Sequence, residues 1–238
     1  MKNIILSPQK TEYNEINSTR GTINIIGCYP GYGATLGNAL RRVLLSSLEG
    51  SAAVSVRIEG VQHEFSTLEY VREDIVQILL HIKQIRFQLD SDESVKVFLK
   101  MKGECVVTAG DIETSTGVTV VNPDHIIAHL TDKKAKLEIE IEVQKGLGYV
   151  PVEQQEREEK MLGVIAVDAI FTPIKRVNFT VDNVRVGKRT DYEKIQLDIE
   201  TDGTLSPKEA FDHAVLILVN QFQSLIPGGK EKEGKDVK

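Results

Sequence analysis

Apolar residues recur with a clear period along most of the chain. Ile23, Ile25 and neighbouring Ile26 follow Gly21 and precede a Pro30-Gly31 turn, which predicts a strand over residues 22–29. From Leu36 to Leu48 the apolar residues Leu36, Ala39, Leu40, Val43, Leu44 and Leu48 recur at steps of three and four. This predicts a helix with Thr35 as N-cap and Gly50 beyond its end. Val54, Val56 and Ile58 then alternate with Ser55 and Arg57, the period of a half-buried strand. Val71, Ile75, Ile78, Leu79, Ile82 and Ile85 form the stripe of a second helix. Between Arg86 and Thr180 nearly every apolar run reads as strand, most clearly Leu137, Ile139, Ile141 and Val143 against Glu138, Glu140, Glu142 and Gln144. The charged stretch at 153–160 interrupts this as an exposed loop. Strands resume over Val164 to Phe171, around Val177 to Val181, and around Ile195 to Ile199 before an Asp202-Gly203 turn.

The last helix has the best-marked start, with Ser206 at the N-cap, Pro207 in the first helical position and Glu209 in the third. Phe211, Ala214, Val215, Leu218, Phe222 and Leu225 trace one stripe, and Leu216, Ile217 and Val219 extend apolar surface well round the cylinder. A helix apolar over most of its girth needs neighbours on two sides, and a second copy of the chain supplies the second neighbour. After Pro227 the residues 228–238 have no apolar period and read as the start of a flexible linker.

Composition narrows the function. With 238 residues, 41% of them hydrophobic, the chain can bury an ordinary core. It lacks the run of about 18 apolar residues that a membrane span needs, and its N-terminus lacks a secretory pattern, so a soluble, cytoplasmic protein is expected. Cys28 and Cys105 stand alone, so neither a disulfide framework nor a thiolate metal site is expected. The net charge of -6 argues against a surface that binds nucleic acid through many phosphates and favours protein partners.

The candidates for chemistry are few. Gly31, Gly33 and Gly37 lie between a strand and a helix, where a nucleotide loop would seat phosphate. Their G-x-G-x-x-x-G spacing is one residue longer than the dinucleotide fingerprint, and no Lys-Ser or Lys-Thr follows. A nucleotide-dependent enzyme remains the alternative here, to be decided by whether the glycine amides are open or occupied. His125 and His129 sit four apart but without the glutamate of H-E-x-x-H, which favours ordinary, satisfied histidines over metal ligands. Asp168, inside an apolar strand, is expected to be a hydrogen-bonded structural carboxylate. Neither a G-x-S-x-G nucleophile motif nor any other catalytic constellation is present, and no cofactor is implied, so a structural or binding role is expected.

The segment from Thr35 to Ser47, TLGNALRRVLLSS, closely resembles the signature helix of bacterial RNA polymerase alpha subunits. His63-Glu64-Phe65-Ser66-Thr67, Glu73-Asp74-Ile75 with Ile78-Leu79-Leu80, Gly146 to Pro151 and Arg189-Thr190-Asp191 follow in the same order, so the resemblance runs from about Gly21 to Ile226. It implies an α+β fold with a discontinuous dimerisation subdomain (a sheet plus two long helices) over residues 1–50 and 169–227. A mostly-β subdomain is inserted over 51–168. It also implies a homodimer that receives the beta and then the beta-prime subunit of the polymerase, a nucleotidyltransferase, with no catalytic residue in this chain. By matching positions, Leu36, Leu40, Phe211, Ala214, Val215, Leu218 and Phe222 fall at the dimer interface and Arg42 and Leu45 at the contact with beta. Lys83, Val167, Ile174 and Lys194 fall in regions that contact beta-prime or a large subunit. Arg42 stands out because Leu40, Val43 and Leu44 around it are committed to packing. Leu147 replaces a basic residue frequent in relatives, and the acidic residues Glu156, Glu158 and Glu159 occupy a position where some relatives meet activators. The family's C-terminal DNA-binding domain is absent after Lys238, so little direct DNA binding is expected.

Overall fold

The computed structural model describes residues 5–155 and 163–226. The acidic residues Glu156, Glu158 and Glu159, and the 228–238 linker, lie outside them. The chain begins with strands β1 (Lys10–Asn17) and β2 (Arg20–Cys28), helix α1 (Tyr32–Ser46), strand β3 (Glu49–Ile58) and helix α2 (Ile75–Lys83). Strands β4 (Phe87–Leu89), β5 (Val95–Lys102), β6 (Cys105–Thr108), β7 (Ile112–Glu113), β8 (Val118–Val120) and β9 (Ile126–Leu130) follow. Then come β10 (Lys136–Leu147), β11 (Tyr149–Val150), β12 (Val164–Ala166), β13 (Ala169–Ile170), the long hairpin β14 (Ile174–Val186) and β15 (Arg189–Thr201), and α3 (Pro207–Ser224). The fold is α+β, dominated by strands.

Two compact units divide the chain. Among described residues the first contains everything up to Leu48, Ile174–Thr201, and everything from Leu205 onward; the second contains Glu49–Pro173 and Asp202–Thr204. The break falls after Pro173, beyond β13, because β13 pairs with β11, and Ala169 and Phe171 are buried together with Ala52 and Val54.

In the first unit four antiparallel strands lie in the order β1-β2-β15-β14. Ile23 and Ile25 of β2, Ile195, Leu197 and Ile199 of β15, and Val177 of β14 face Leu40 and Leu44 of α1 and Ala210 and Ala214 of α3. Strand β1 has no apolar alternation; it exists because its backbone completes the ladder on β2, Lys10 opposite Ile26 through Asn17 opposite Arg20. The hairpin likewise runs past its apolar stretch to a turn at Gly187, whose φ of 63° suits a residue without a Cβ.

In the second unit a seven-stranded sheet in the order β7-β5-β10-β3-β4-β8, with β12 paired to β3, packs against α2. The alternation read from β10 holds: Leu137, Ile139, Ile141 and Val143 are buried, while Glu138, Glu140 and Glu142 face the other way and are half-buried. Helix α2 is shorter than its stripe suggested. Asp74 caps it through a reciprocal box with Gln77, leaving Val71 in a bridge to Leu130 and Ile85 beyond the end. The single strand expected over Val164 to Phe171 is broken in two at Val167-Asp168, because Asp168 turns to partners described below.

Candidate functional site

Helix α1 starts at Tyr32, three residues before the expected cap. Gly31 is the N-cap with φ 84°, and Thr35 lies inside the helix. Gly31 carries no capping side chain, so the first amides need an acceptor from elsewhere. Glu193 of β15 supplies it: Gly31 N–H donates to Oε1 at 3.0 Å and Gly33 N–H to Oε2 at 2.6 Å. The negative carboxylate also suits the positive end of the helix dipole. The anion nest is therefore filled by the protein's own side chain, and the nucleotide-binding alternative loses its site. Gly33 and Gly37 let the helix lie close to the sheet, since a Cβ on Gly33 would sit 2.6 Å from Val181 and one on Gly37 2.6 Å from the Phe179 ring. Replacing Glu193 by alanine is expected to lower stability by about 1–2 kcal/mol, the range for a lost helix cap, measurable as a fall in Tm.

With Leu40 and Leu44 buried, α1 turns Arg41, Arg42 and Leu45 outward. Arg42 and Leu45, three apart, share one exposed face. Alongside, α3 packs on α1, its buried residues Pro207, Ala210 and Ala214 all lie in its N-terminal half, and from Val219 onward the side chains are exposed. Leu216, Val219, Phe222, Leu225 and Ile226 are exposed, Phe222 by 61% and Leu225 by 74%. The seven residues assigned to a dimer interface thus fall into three groups. Leu40 and Ala214 lie inside the chain's own core, Leu36, Phe211, Val215 and Leu218 border it, and Phe222 stands in the open. Of the large-subunit candidates, Val167 and Ile174 are buried and Lys194 is half-buried.

Lys83 is not a free surface cation. It ends α2 and pairs with Asp168 at 2.8 Å, the partner that Asp168 lacks in its own stretch of sequence. The Lys83 ammonium lies 5.4 Å from the centre of the Tyr149 ring, and Tyr149 and the Val152 N–H bind the same carboxylate. These donors hold the Asp168 carboxyl below the usual carboxylate range, Lys83 most of all.

His125 and His129 both have partners within the chain. His129 approaches Glu73 through its backbone N–H (2.7 Å) and Nδ1 (2.6 Å), while His125 Nε2 lies 3.0 Å from the carbonyl of His81. Among described residues no three His, Cys, Asp or Glu side chains gather as a metal site. Burial raises the Glu73 carboxyl, yet the hydrogen bonds from His129 outweigh it and leave its pKa below the ordinary 4.5. A depressed carboxyl contributes stability that is complete above its unfolded pKa and is lost as pH falls through the folded one. Glu73→Gln is therefore expected to flatten the loss of stability below about pH 4.5 relative to the unaltered chain, read as urea midpoints between pH 6 and pH 3.

The α+β fold and outward-turned helices describe a protein that presents surfaces. Residues 56–172, nearly all of the second unit, match the RNA polymerase Rpb3/RpoA insert domain. Over 228 residues the chain is 43% identical to the DNA-directed RNA polymerase subunit alpha of Carboxydothermus hydrogenoformans, covering 96% of this chain and 72% of that one. The chain belongs to the bacterial RNA polymerase alpha-subunit family, within its N-terminal part.

Sequence reasoning placed Arg42 on the outer face of α1, and the resemblance singled out Leu45, which the structure also leaves exposed. It missed Glu193, whose partners lie 160 residues or more away. It also left Tyr149 outside any site and counted Leu216 and Val219 only as excess girth.

Proposed function

We propose that this chain is the assembly scaffold of a bacterial RNA polymerase, a homodimer that receives the beta subunit and then beta-prime and itself performs no step of RNA synthesis. The observation that carries this reading is the apolar exposure at the distal end of α3. Five large apolar side chains in eleven residues stand exposed beside a helix that turns an arginine and a leucine outward. Such a surface is costly in water and is the signature of an interface. A second copy meeting it about a two-fold axis would cover both α3 helices at once, since a symmetric dimer presents the same patch from each side. Arg42 and Leu45 lie on the α1 face that the reading gives to beta; an arginine flanked by apolar surface is a frequent anchor of interfaces. Lys83, Val167, Ile174 and Lys194 belong to the reading as positions in large-subunit contact regions, Val167 and Ile174 as buried residues of those regions. The polymerase acts in the cytoplasm on this reading, and DNA is bound by other parts of the enzyme.

The test is reconstitution from purified parts. The chain alone is expected to sediment as a dimer, to bind beta, and to bind beta-prime only after beta is present. A chain that stays monomeric at micromolar concentration, or a dimer that takes beta-prime first, contradicts the proposal.

A further inference from the structure

We infer that His81 and His125 form a binding site for a divalent transition-metal ion of the zinc class, independent of the assembly reading above. His81 lies in the last turn of α2 and His125 immediately before β9. Nδ1 of His81 donates to the carbonyl oxygen of Ile127 at 2.8 Å, and Nε2 of His125 donates to the carbonyl oxygen of His81 at 3.0 Å. A carbonyl oxygen only accepts, so both nitrogens carry their protons. The two neutral rings are thereby held in opposite tautomers, with the lone pair on Nε2 of His81 and on Nδ1 of His125. Neither of those nitrogens has a hydrogen-bond partner among the described residues.

A histidine that binds a metal through one nitrogen ordinarily gives its other N–H to a carbonyl or carboxylate, which orients the ring and makes the free nitrogen more basic. Here that arrangement occurs twice, on rings whose centres are 6.0 Å apart and whose planes cross at 82–84° or, for this pair, 84°. Two imidazoles sharing an ion at about 2.0–2.1 Å hold their ring centres roughly 5–6 Å apart, and the observed spacing stands at the upper end of that range. Both side chains are half-buried, which leaves the ion a path from solvent. Imidazole nitrogen suits zinc and its neighbours, whereas magnesium and calcium take oxygen. No third His, Cys, Asp or Glu joins the pair among the described residues, so water completes the coordination. The partner of His125 is thus His81, 44 residues earlier, and not His129, whose ring is held by Glu73. A bound ion would tie the end of α2 to the segment that leads into β9.

The experiment titrates the untagged, chelator-treated chain with zinc chloride by calorimetry and follows the histidine ring nitrogens by NMR. One ion per chain is expected, with a rise in Tm that a chelator reverses. Losing an outer-shell partner of a metal ligand already weakens binding about tenfold or more, so His81→Gln and His125→Gln should each cost at least that much. His63→Gln and His213→Gln, both at exposed positions elsewhere, should leave binding unchanged. Zinc should shift the signals of Nε2 of His81 and Nδ1 of His125. This measurement on the unaltered chain decides the matter should either of the two variants fail to fold. The inference is overturned by the absence of saturable zinc binding, by a loss as large in His63→Gln or His213→Gln (a surface ion only), by unchanged binding in His81→Gln or His125→Gln, or by a zinc-induced shift confined to one of the two rings.

Discussion

Phe222→Asp is expected to convert the proposed dimer into a well-folded monomer. The side chain is 61% exposed within its own chain, so a carboxylate there meets water and leaves the core around Leu40, Ala210 and Ala214 untouched. In a two-fold interface the same carboxylate is buried twice, without a partner and facing apolar neighbours. Burying an unpaired charge costs several kcal/mol, and a loss of about 4 kcal/mol raises the dissociation constant roughly a thousandfold. Sedimentation equilibrium over a micromolar range, with a thermal melt of the same sample, reads both parts of the expectation. Leu218→Asp would be a poorer test, since Leu218 packs partly against its own core and the variant would lose fold and dimer together. A Phe222→Asp chain that remains dimeric would show that the bare end of α3 lies outside the interface.

The second large effect is expected at Arg42, without loss of fold. Its side chain is exposed on α1, and it forms no ion pair with any described residue. Truncation to alanine should therefore change stability by no more than about 0.5 kcal/mol. At an interface, loss of an arginine anchor costs about 2 kcal/mol or more, some thirtyfold in affinity. The Arg42→Ala chain is expected to stay dimeric with a nearly unchanged Tm and to fail in pulling down beta. Unaffected binding to beta, or a dimer that falls apart, would make the assignment wrong.

Much of this architecture was legible because it rests on local periodicity. The alternation in β10, the buried face of α1, and the capping box at Ser206 are all decided by residues within a few positions of one another. What escaped depends on distant partners. Strand β1 exists through the ladder it completes, and its own residues are mostly charged or polar. The onset of α1 was misplaced because Thr35 is a good cap by type, whereas the acceptor that fixes the start is Glu193 on a strand far along the chain. Asp168 could be recognised as a bonded carboxylate, but Lys83, 85 residues earlier, could not be named as its partner. The width of the apolar girth on α3 was visible in sequence; which of those side chains the chain covers by itself was not.

The pairing of β2 with β15 has a consequence for how the molecule comes into being. Cys28 stands opposite Glu193 and Gly21 opposite Ile199, so the central ladder of the first unit joins residues far apart in the order of synthesis. Every strand of the seven-stranded sheet lies between Glu49 and Ala166 and has been translated before β15 begins. Contacts so far apart close slowly, and β2 has to wait for its neighbour while the ribosome works through the intervening stretch. The carboxylate that seats α1 and the apolar end of α3 both follow the whole seven-stranded sheet in the chain. A chain broken off before β15 therefore lacks the surface on which assembly is proposed to begin.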